Sequence, residues 1–231
     1  MAKTKYYGVG FPYKKDKKLP GKLIVVEGTD GVGRSTQVEL LKTTLEENGF
    51  AVSDTGLRRS KLTQSGLEEA KKGNALSPLT NSLFYATDFA DRLENQIIPA
   101  LRAGFIVLSD RYFYSIVARD VVRGLDPKWA RKVYGFAIKP DIILYLKADI
   151  ETLITRIVHG RGFNYWEAGM DILKEDNLYD SFKKYQVYML EQFDQMIREY
   201  DFDVIDANLS INRTHQEIMQ HIQPILDKYE H

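Results

Sequence analysis

The stretch Gly28-Thr29-Asp30-Gly31-Val32-Gly33-Arg34-Ser35-Thr36 constrains this chain more than any other. Its spacing is that of G-x-x-x-x-G-K-[ST], with Arg34 where lysine is expected. An apolar strand pattern, Leu23 to Glu27, precedes it, and an amphipathic run through Val38, Leu40, Leu41 and Leu45 follows. Glycines let backbone N–H groups turn inward around a polyphosphate, and the helix behind them begins with unpaired donors and a positive dipole end. Ser35 is placed to give its hydroxyl to Mg²⁺. A turn that binds nothing is the bland alternative. Two glycines five apart, with a cation and two hydroxyls in register, argue against it. Arginine keeps the charge and forks onto two oxygens, but it is bulkier than lysine, so binding is expected to survive better than catalytic rate.

The rest of the chain alternates in the same sense. Short apolar runs at 23–27, 51–54, 105–110, 141–146 and 203–206 read as strands buried on both faces. Helical patterns fall at 35–48, 61–72, 79–103, 113–122, 127–137, 150–158, 177–200 and 210–228. Ser77-Pro78 and Asp126-Pro127 read as helix starts. This order predicts an α/β fold, a five-stranded parallel sheet with helices on both faces in three layers, forming one domain over 22–231.

Composition narrows the partners. Lys plus Arg and Asp plus Glu each number 32, so no global positive field draws the chain to nucleic acid or to a membrane. The absence of cysteine excludes disulfides, thiolate metal sites and a cysteine nucleophile. No apolar run is long enough to be a signal peptide or a membrane span, and a cytoplasmic protein is expected. The zero is uneven, however. Residues 1–22 carry seven lysines (Lys3, Lys5, Lys14, Lys15, Lys17, Lys18, Lys22) against Asp16. Residues 1–21 therefore read as a basic N-terminal extension, solvated in the bland reading.

On the longest helix, Leu79, Leu83, Ala86, Ala90, Leu93, Ile97 and Leu101 recur at spacings of four and three, which predicts a continuous core stripe. Tyr85, Phe89 and Arg92 make a second line, facing a ligand pocket, a neighbouring helix or a second subunit.

With the loop in this setting, the chain resembles the thymidylate kinases, members of the P-loop nucleoside monophosphate kinases. Val26-Glu27 through Gln37 is similar to their opening E-G-x-D-G-x-G-K-[ST]-T-Q. The likeness continues through Leu76-Ser77-Pro78, Ile97-Ile98-Pro99-Ala100-Leu101, Val107 to Tyr112 with Ser115, Pro140 to Leu146, a lid-like segment at about 156–171, and Val204 to Asn208. The resemblance implies the P-loop NTPase fold and ATP-dependent phosphoryl transfer to a nucleoside monophosphate, with dTMP the leading acceptor, Mg²⁺ as cofactor and a homodimeric assembly. It puts Gly28 to Thr36 around the ATP phosphates, Asp30 near the acceptor phosphate, and Ser35 and Asp110 at the metal. Asp30, Arg34, Arg111 and the lid residue Arg161, accompanied by Arg156, carry the catalytic charges, and Asp206 to Ser210 lies beside the adenine. Arg58, Tyr85, Phe89, Arg92, Arg111 and Arg119 are the acceptor-binding candidates.

The acceptor half departs from the family pattern. Thr55-Gly56-Leu57-Arg58-Arg59-Ser60 replaces T-R-E-P-G-G. Tyr85 takes the base-stacking position and Phe89 the position of a base-bonding arginine, while Ala90-Asp91-Arg92 copies the family's A-D-R three residues late. Arg119-Asp120 follows Ala118 in place of Y-Q, and Asn164-Tyr165-Trp166-Glu167 replaces D-R-I-E in the lid. A kinase for another nucleotide, nucleoside or phosphorylated metabolite, and a nucleotide-binding protein with little turnover, are the alternatives these exchanges leave open.

Overall fold

A computed structural model describes residues 5–13, 19–72 and 76–229. The β-branched runs become strands β1 (Lys22–Gly28), β2 (Val52–Gly56), β3 (Ile106–Asp110), β4 (Ile142–Lys147) and β5 (Asp203–Asp206). All pair in parallel, in the order β2-β3-β1-β4-β5. Alternation along β1 divides the core. Ile24 and Val26 face α1 (Arg34–Glu47) and α9 (Ile211–Leu226), and pack with Leu41, Leu45, Ile218 and Ile222. Leu23 and Val25 face the opposite, aromatic-rich layer. That layer holds α3 (Pro78–Arg92), α4 (Ile98–Arg102), α5 (Phe113–Val122), α6 (Pro127–Val133) and α8 (Leu178–Tyr200). Helix α2 (Gln64–Lys72) lies between β2 and α3 in the chain, and α7 (Ile150–His159) between β4 and α8. The expected helix over 127–137 stops at Val133, where Tyr134 to Phe136 form a turn.

The strand order places a topological switch beside β1, because the chain leaves β1 for the edge strand β2 and returns through β3 before crossing to β4. The crevice at the carboxyl ends of such strands is where α/β sheets bind ligands. Val26 pairs in register with Asp110, and the Arg111 N–H donates to the Val26 carbonyl at 2.9 Å, so the segments after β1 and β3 leave the sheet side by side.

One expectation is corrected. The stripe on the long helix is not continuous: Leu79 and Leu83 are 49% and 48% exposed, whereas Tyr85, Phe89 and Arg92 are buried. A π-helical turn at Leu93–Ile97 separates α3 from α4. Its extra residue rotates the two halves relative to each other. The inward face thus runs from Ser82, Tyr85, Phe89 and Arg92 into Ile97 and Leu101.

The basic extension is described in part. Its residues 5–13 lie against the domain: Tyr6 bridges Ile138 in antiparallel fashion, the Gly8 N–H donates to the Gly135 carbonyl at 2.8 Å, and Tyr6, Tyr7 and Phe11 pack on the aromatic core. Lys3, Lys14, Lys15, Asp16, Lys17 and Lys18 lie outside the described residues.

Candidate active site

The loop between β1 and α1 bends where glycines permit it. Gly31 and Gly33 have φ of 84° and 97°, in the left-handed region, and Gly33 caps α1. A Cβ on Gly31 would come within 2.7 Å of Ile157 on α7, so the loop is seated directly on that helix. Arg34 folds back over the loop. Its Nη1 donates to the carbonyls of Gly28 at 2.7 Å and Thr29 at 2.5 Å, and its Nε to Asp110 Oδ1 at 2.9 Å. The other Asp110 oxygen accepts from Ser35 Oγ at 2.8 Å. Burial pushes the Asp110 carboxyl up, but Arg34 and Arg111 outweigh it and hold it below its ordinary value. The sequence brings Ser35 and Asp110 to one point, and both are oxygen donors suited to a hard cation.

Behind the loop sits an ion cluster. Arg111 adopts a left-handed φ of 72°, unusual for a side-chain-bearing residue and a form of strain that gathers at functional sites. It donates to Asp30 Oδ1 at 2.5 Å, to the Gly28 carbonyl at 2.9 Å and to Ser115 Oγ at 2.7 Å. Arg119 Nη2 reaches both Asp30 oxygens at 3.1 and 3.2 Å. Burial pushes the Asp30 carboxyl up, yet Arg111, Arg119 and Arg34 together hold it well below the usual carboxylate range. Burial, reinforced by Arg34, lowers Arg111 to about 10.

Beneath lies Glu27, fully buried, accepting from the Tyr112 N–H at 2.7 Å and Ser115 Oγ at 2.5 Å. It satisfies donors at the start of α5 and anchors the serine that holds Arg111. Burial raises its carboxyl against the pull of Arg111 and these bonds. Glu27 was legible only as part of the loop motif.

A cleft of about 820 Å³ runs from this cluster. It is lined by Gly31 to Thr36 on the donor side, by Asp30, Arg111 and Arg119 at the centre, and by Arg58, Lys71, Asn81, Tyr85 and Trp166 beyond. Arg58, at φ 62°, is the other arginine with a left-handed backbone. Its loop hangs on Asp88, whose oxygens accept from the Arg58 and Ser60 N–H groups at 3.1 and 3.0 Å.

Two acceptor candidates lie elsewhere. Arg92 is fully buried behind the cleft, its Nε donating to Asp88 at 2.9 Å. It neutralises the carboxylate that shapes the Arg58 loop, which makes it a positioning residue. Phe89 is also fully buried, packing edge-on against Tyr112 and Tyr134 with centroids at 4.7 and 5.6 Å. Both lie on the second line read from the spacing of α3, which the fold turns into the core.

The lid closes the far side. Arg156 Nη1 donates to the Val32 carbonyl at 3.0 Å, tying α7 to the phosphate loop. Arg161 reaches into the cleft wall but is paired with Glu167 at 2.6 Å and is largely exposed. The lid is fastened by a residue with no signal in the sequence, Arg123. It grips both Asp171 oxygens at 2.7 and 3.1 Å, the Trp166 carbonyl at 3.1 Å and the Tyr185 hydroxyl at 2.5 Å. At the β5 edge of the sheet, Asn208 Oδ1 accepts from the Asp149 N–H at 3.1 Å, and Asp206 Oδ1 from the Asn208 N–H at 2.9 Å, so the 206–210 turn is internally tied.

A parallel sheet in this order, with a glycine loop and arginines gathered at its switch point, defines a P-loop nucleotide kinase. A family model described as thymidylate kinase matches residues 26–218. The chain is 41% identical over 213 residues to a probable thymidylate kinase 2 of Saccharolobus solfataricus, covering 91% of this chain and 98% of that protein. A probable thymidylate kinase of Thermococcus kodakarensis is 31% identical, covering 88% and 98% respectively. A thymidylate kinase of Brachyspira hyodysenteriae is 29% identical over 168 residues, covering 72% and 83%. The chain belongs to the thymidylate kinase family.

Proposed function

We propose that this protein transfers the terminal phosphoryl group of ATP to the phosphate of dTMP, giving ADP and dTDP. The observation that carries the reading is the single cleft joining a phosphate loop to a buried arginine–aspartate cluster. The bond from the terminal phosphorus to the ADP oxygen breaks as one forms to an oxygen of the acceptor phosphate. That acceptor is already an anion, so positioning and charge neutralisation do the work and no strong general base is needed.

Arg111 and Arg119 supply the charge between donor and acceptor. Asp30 fixes both, and Glu27 with Ser115 fixes Arg111 from below. Arg34 trades its loop carbonyls for phosphate oxygens, and Arg161 leaves Glu167 to cover the transferring group. Ser35 and Asp110, 2.8 Å apart, suit Mg²⁺. When bound with the nucleotide, the ion neutralises charge on the bridging phosphates. The exposed Leu79 and Leu83 on the outer side of α3 suit the face of a homodimer. Among the described residues no helix is long and apolar enough to cross a membrane, in keeping with a cytoplasmic enzyme.

The test is a coupled ADP-release assay with ATP and Mg²⁺ against a panel of nucleoside monophosphates, run on the wild type, Arg34→Lys and Arg34→Ala. Selective turnover of dTMP is expected, retained in Arg34→Lys and lowered by about 10²-fold in Arg34→Ala. ATP binding without ADP release for any acceptor would sink the reading.

A further inference from the structure

The wall of the cleft built by α2 and α3 carries polar groups that no contact within the protein uses up. Asn81 lies one helical turn before Tyr85, lines the cleft and is 5% exposed, and its Oδ1 finds no hydrogen-bond partner among the described residues. An unpaired buried amide oxygen is costly, and a ligand that brings an N–H removes the cost. Across from it, Lys71 Nζ at the end of α2 donates to the Tyr85 hydroxyl at 2.7 Å and sits 5.4 Å from the Trp166 ring centroid. The Trp166 indole N–H in turn donates to the Lys71 carbonyl at 3.3 Å, so the residue is held at both ends. An ammonium has three N–H bonds. Tyr85 takes one.

With Phe89 turned into the core, the acceptor base must find its polar contacts on other side chains. We propose that Asn81 and Lys71 read the base of the acceptor nucleotide, Asn81 pairing with the imide N–H and the neighbouring C4 carbonyl while Lys71 donates to the second lone pair of that same carbonyl. The two contribute differently. An amide presents a donor and an acceptor side by side and, by flipping, satisfies either the N–H and carbonyl edge of thymine or the ring nitrogen and amino edge of cytosine. Asn81 therefore gives affinity with little choice. Lys71 has donors only, so it favours a carbonyl and opposes an exocyclic amino group. Together they select a pyrimidine-2,4-dione over cytosine.

This inference rests on the nucleoside monophosphate kinase reading, and the experiment separates the two. Steady-state kinetics with dTMP, dUMP and dCMP, and calorimetric dTMP binding, are measured for the wild type, Lys71→Met, Lys71→Arg and Asn81→Ala. In Lys71→Met the ratio of kcat/KM for dTMP to that for dCMP falls by about tenfold or more, and Lys71→Arg restores it. In Asn81→Ala the dTMP affinity falls by about tenfold, dCMP suffers equally, and the KM for ATP does not move. An unchanged ratio in Lys71→Met, or unchanged dTMP affinity in Asn81→Ala, overturns the proposal while a dTMP-selective wild type leaves the kinase reading standing. A wild type that neither binds nor phosphorylates any of the three overturns both. Should Asn81→Ala not fold, the Lys71 ratio decides alone.

Discussion

At the scale of single residues, the site is held by buried carboxylates that position its arginines. Asp30 spans Arg111 and Arg119, Glu27 spans the start of α5 and Ser115, and Asp88 spans the Arg58 loop and Arg92. Arg111 is where the first two of these supports converge. Arg111→Ala is expected to lower kcat by about 10²-fold or more, the order found when one charge-stabilising group is lost. A near-native rate in the ADP-release assay would remove the cluster from the chemistry. Asp120 behaves differently. It lies under the site between α3 and α5, accepts from Ser82 Oγ at 2.5 Å, and burial raises it to about 6 against the pull of Ser82, Arg123 and Arg119. The folded state thus holds this proton more tightly than the unfolded chain. The contribution to stability is full below the unfolded value near 4 and is lost as pH rises through 6. From pH 5 to 7.5 the wild type should lose about 1 kcal/mol that Asp120→Asn does not lose. Urea titrations of both proteins at the two pH values measure the difference, and parallel pH profiles would assign Asp120 no such role.

At the scale of elements, the lid depends on one buried fastening. Arg123 on the turn after α5 binds the lid at Asp171 and Trp166 and α8 at Tyr185. Arg123→Met should therefore leave ATP affinity near that of the wild type, lower kcat by about tenfold and expose the 160–173 segment to limited proteolysis. Resistance to protease equal to the wild type would place the fastening elsewhere. The same scale shows what the sequence could reveal. All five strands and the loop were legible, because buried parallel strands are continuous apolar runs and a phosphate loop needs glycine at fixed spacings. So was Asp110 beside Ser35, since Asp110 ends a strand that pairs with β1. The face of α3 was not legible. Spacings of four and three hold only within an unbroken α-helix, and the Leu93–Ile97 π turn shifts the phase, so Leu79 and Leu83 fall outside and Phe89 and Arg92 inside. Arg123, Lys71 and Asn81 also escaped: the lid and α8 partners of Arg123 lie 43 or more residues away, Lys71 bonds Tyr85 14 residues on, and Asn81 Oδ1 has no partner among the described residues, so no local pattern marks them.

At the scale of the whole molecule, the neutral charge sum hides a division of labour. The site gathers arginines, and the basic extension contributes aromatic contacts on the far side of α5. Tyr7 sits at the centre of those contacts, its hydroxyl 2.6 Å from that of Tyr114 and its ring 5.2 and 5.3 Å from those of Phe113 and Tyr200. Lys139 Nζ lies 5.2 Å from the same ring, and the Lys139 N–H donates to the Lys5 carbonyl at 2.9 Å. Residues 5–13 therefore act as a strap across α5, the 135–138 segment and α8, pressing on Phe113, the residue that opens α5 just after Arg111 and Tyr112. Burial of one aromatic side chain of this kind contributes about 2 kcal/mol. For a domain of this size that corresponds to a fall in Tm of about 4–8 °C in Tyr7→Ala. Turnover at room temperature should change by less than about threefold, because Glu27 and Asp30 still hold Arg111 from the sheet side. A thermal melt and the ADP-release assay together distinguish a strap from an idle tail. Removal of residues 1–13 with no loss of Tm would show that the packing contributes nothing, whereas a large loss of turnover at unchanged Tm would tie the strap to Arg111 itself.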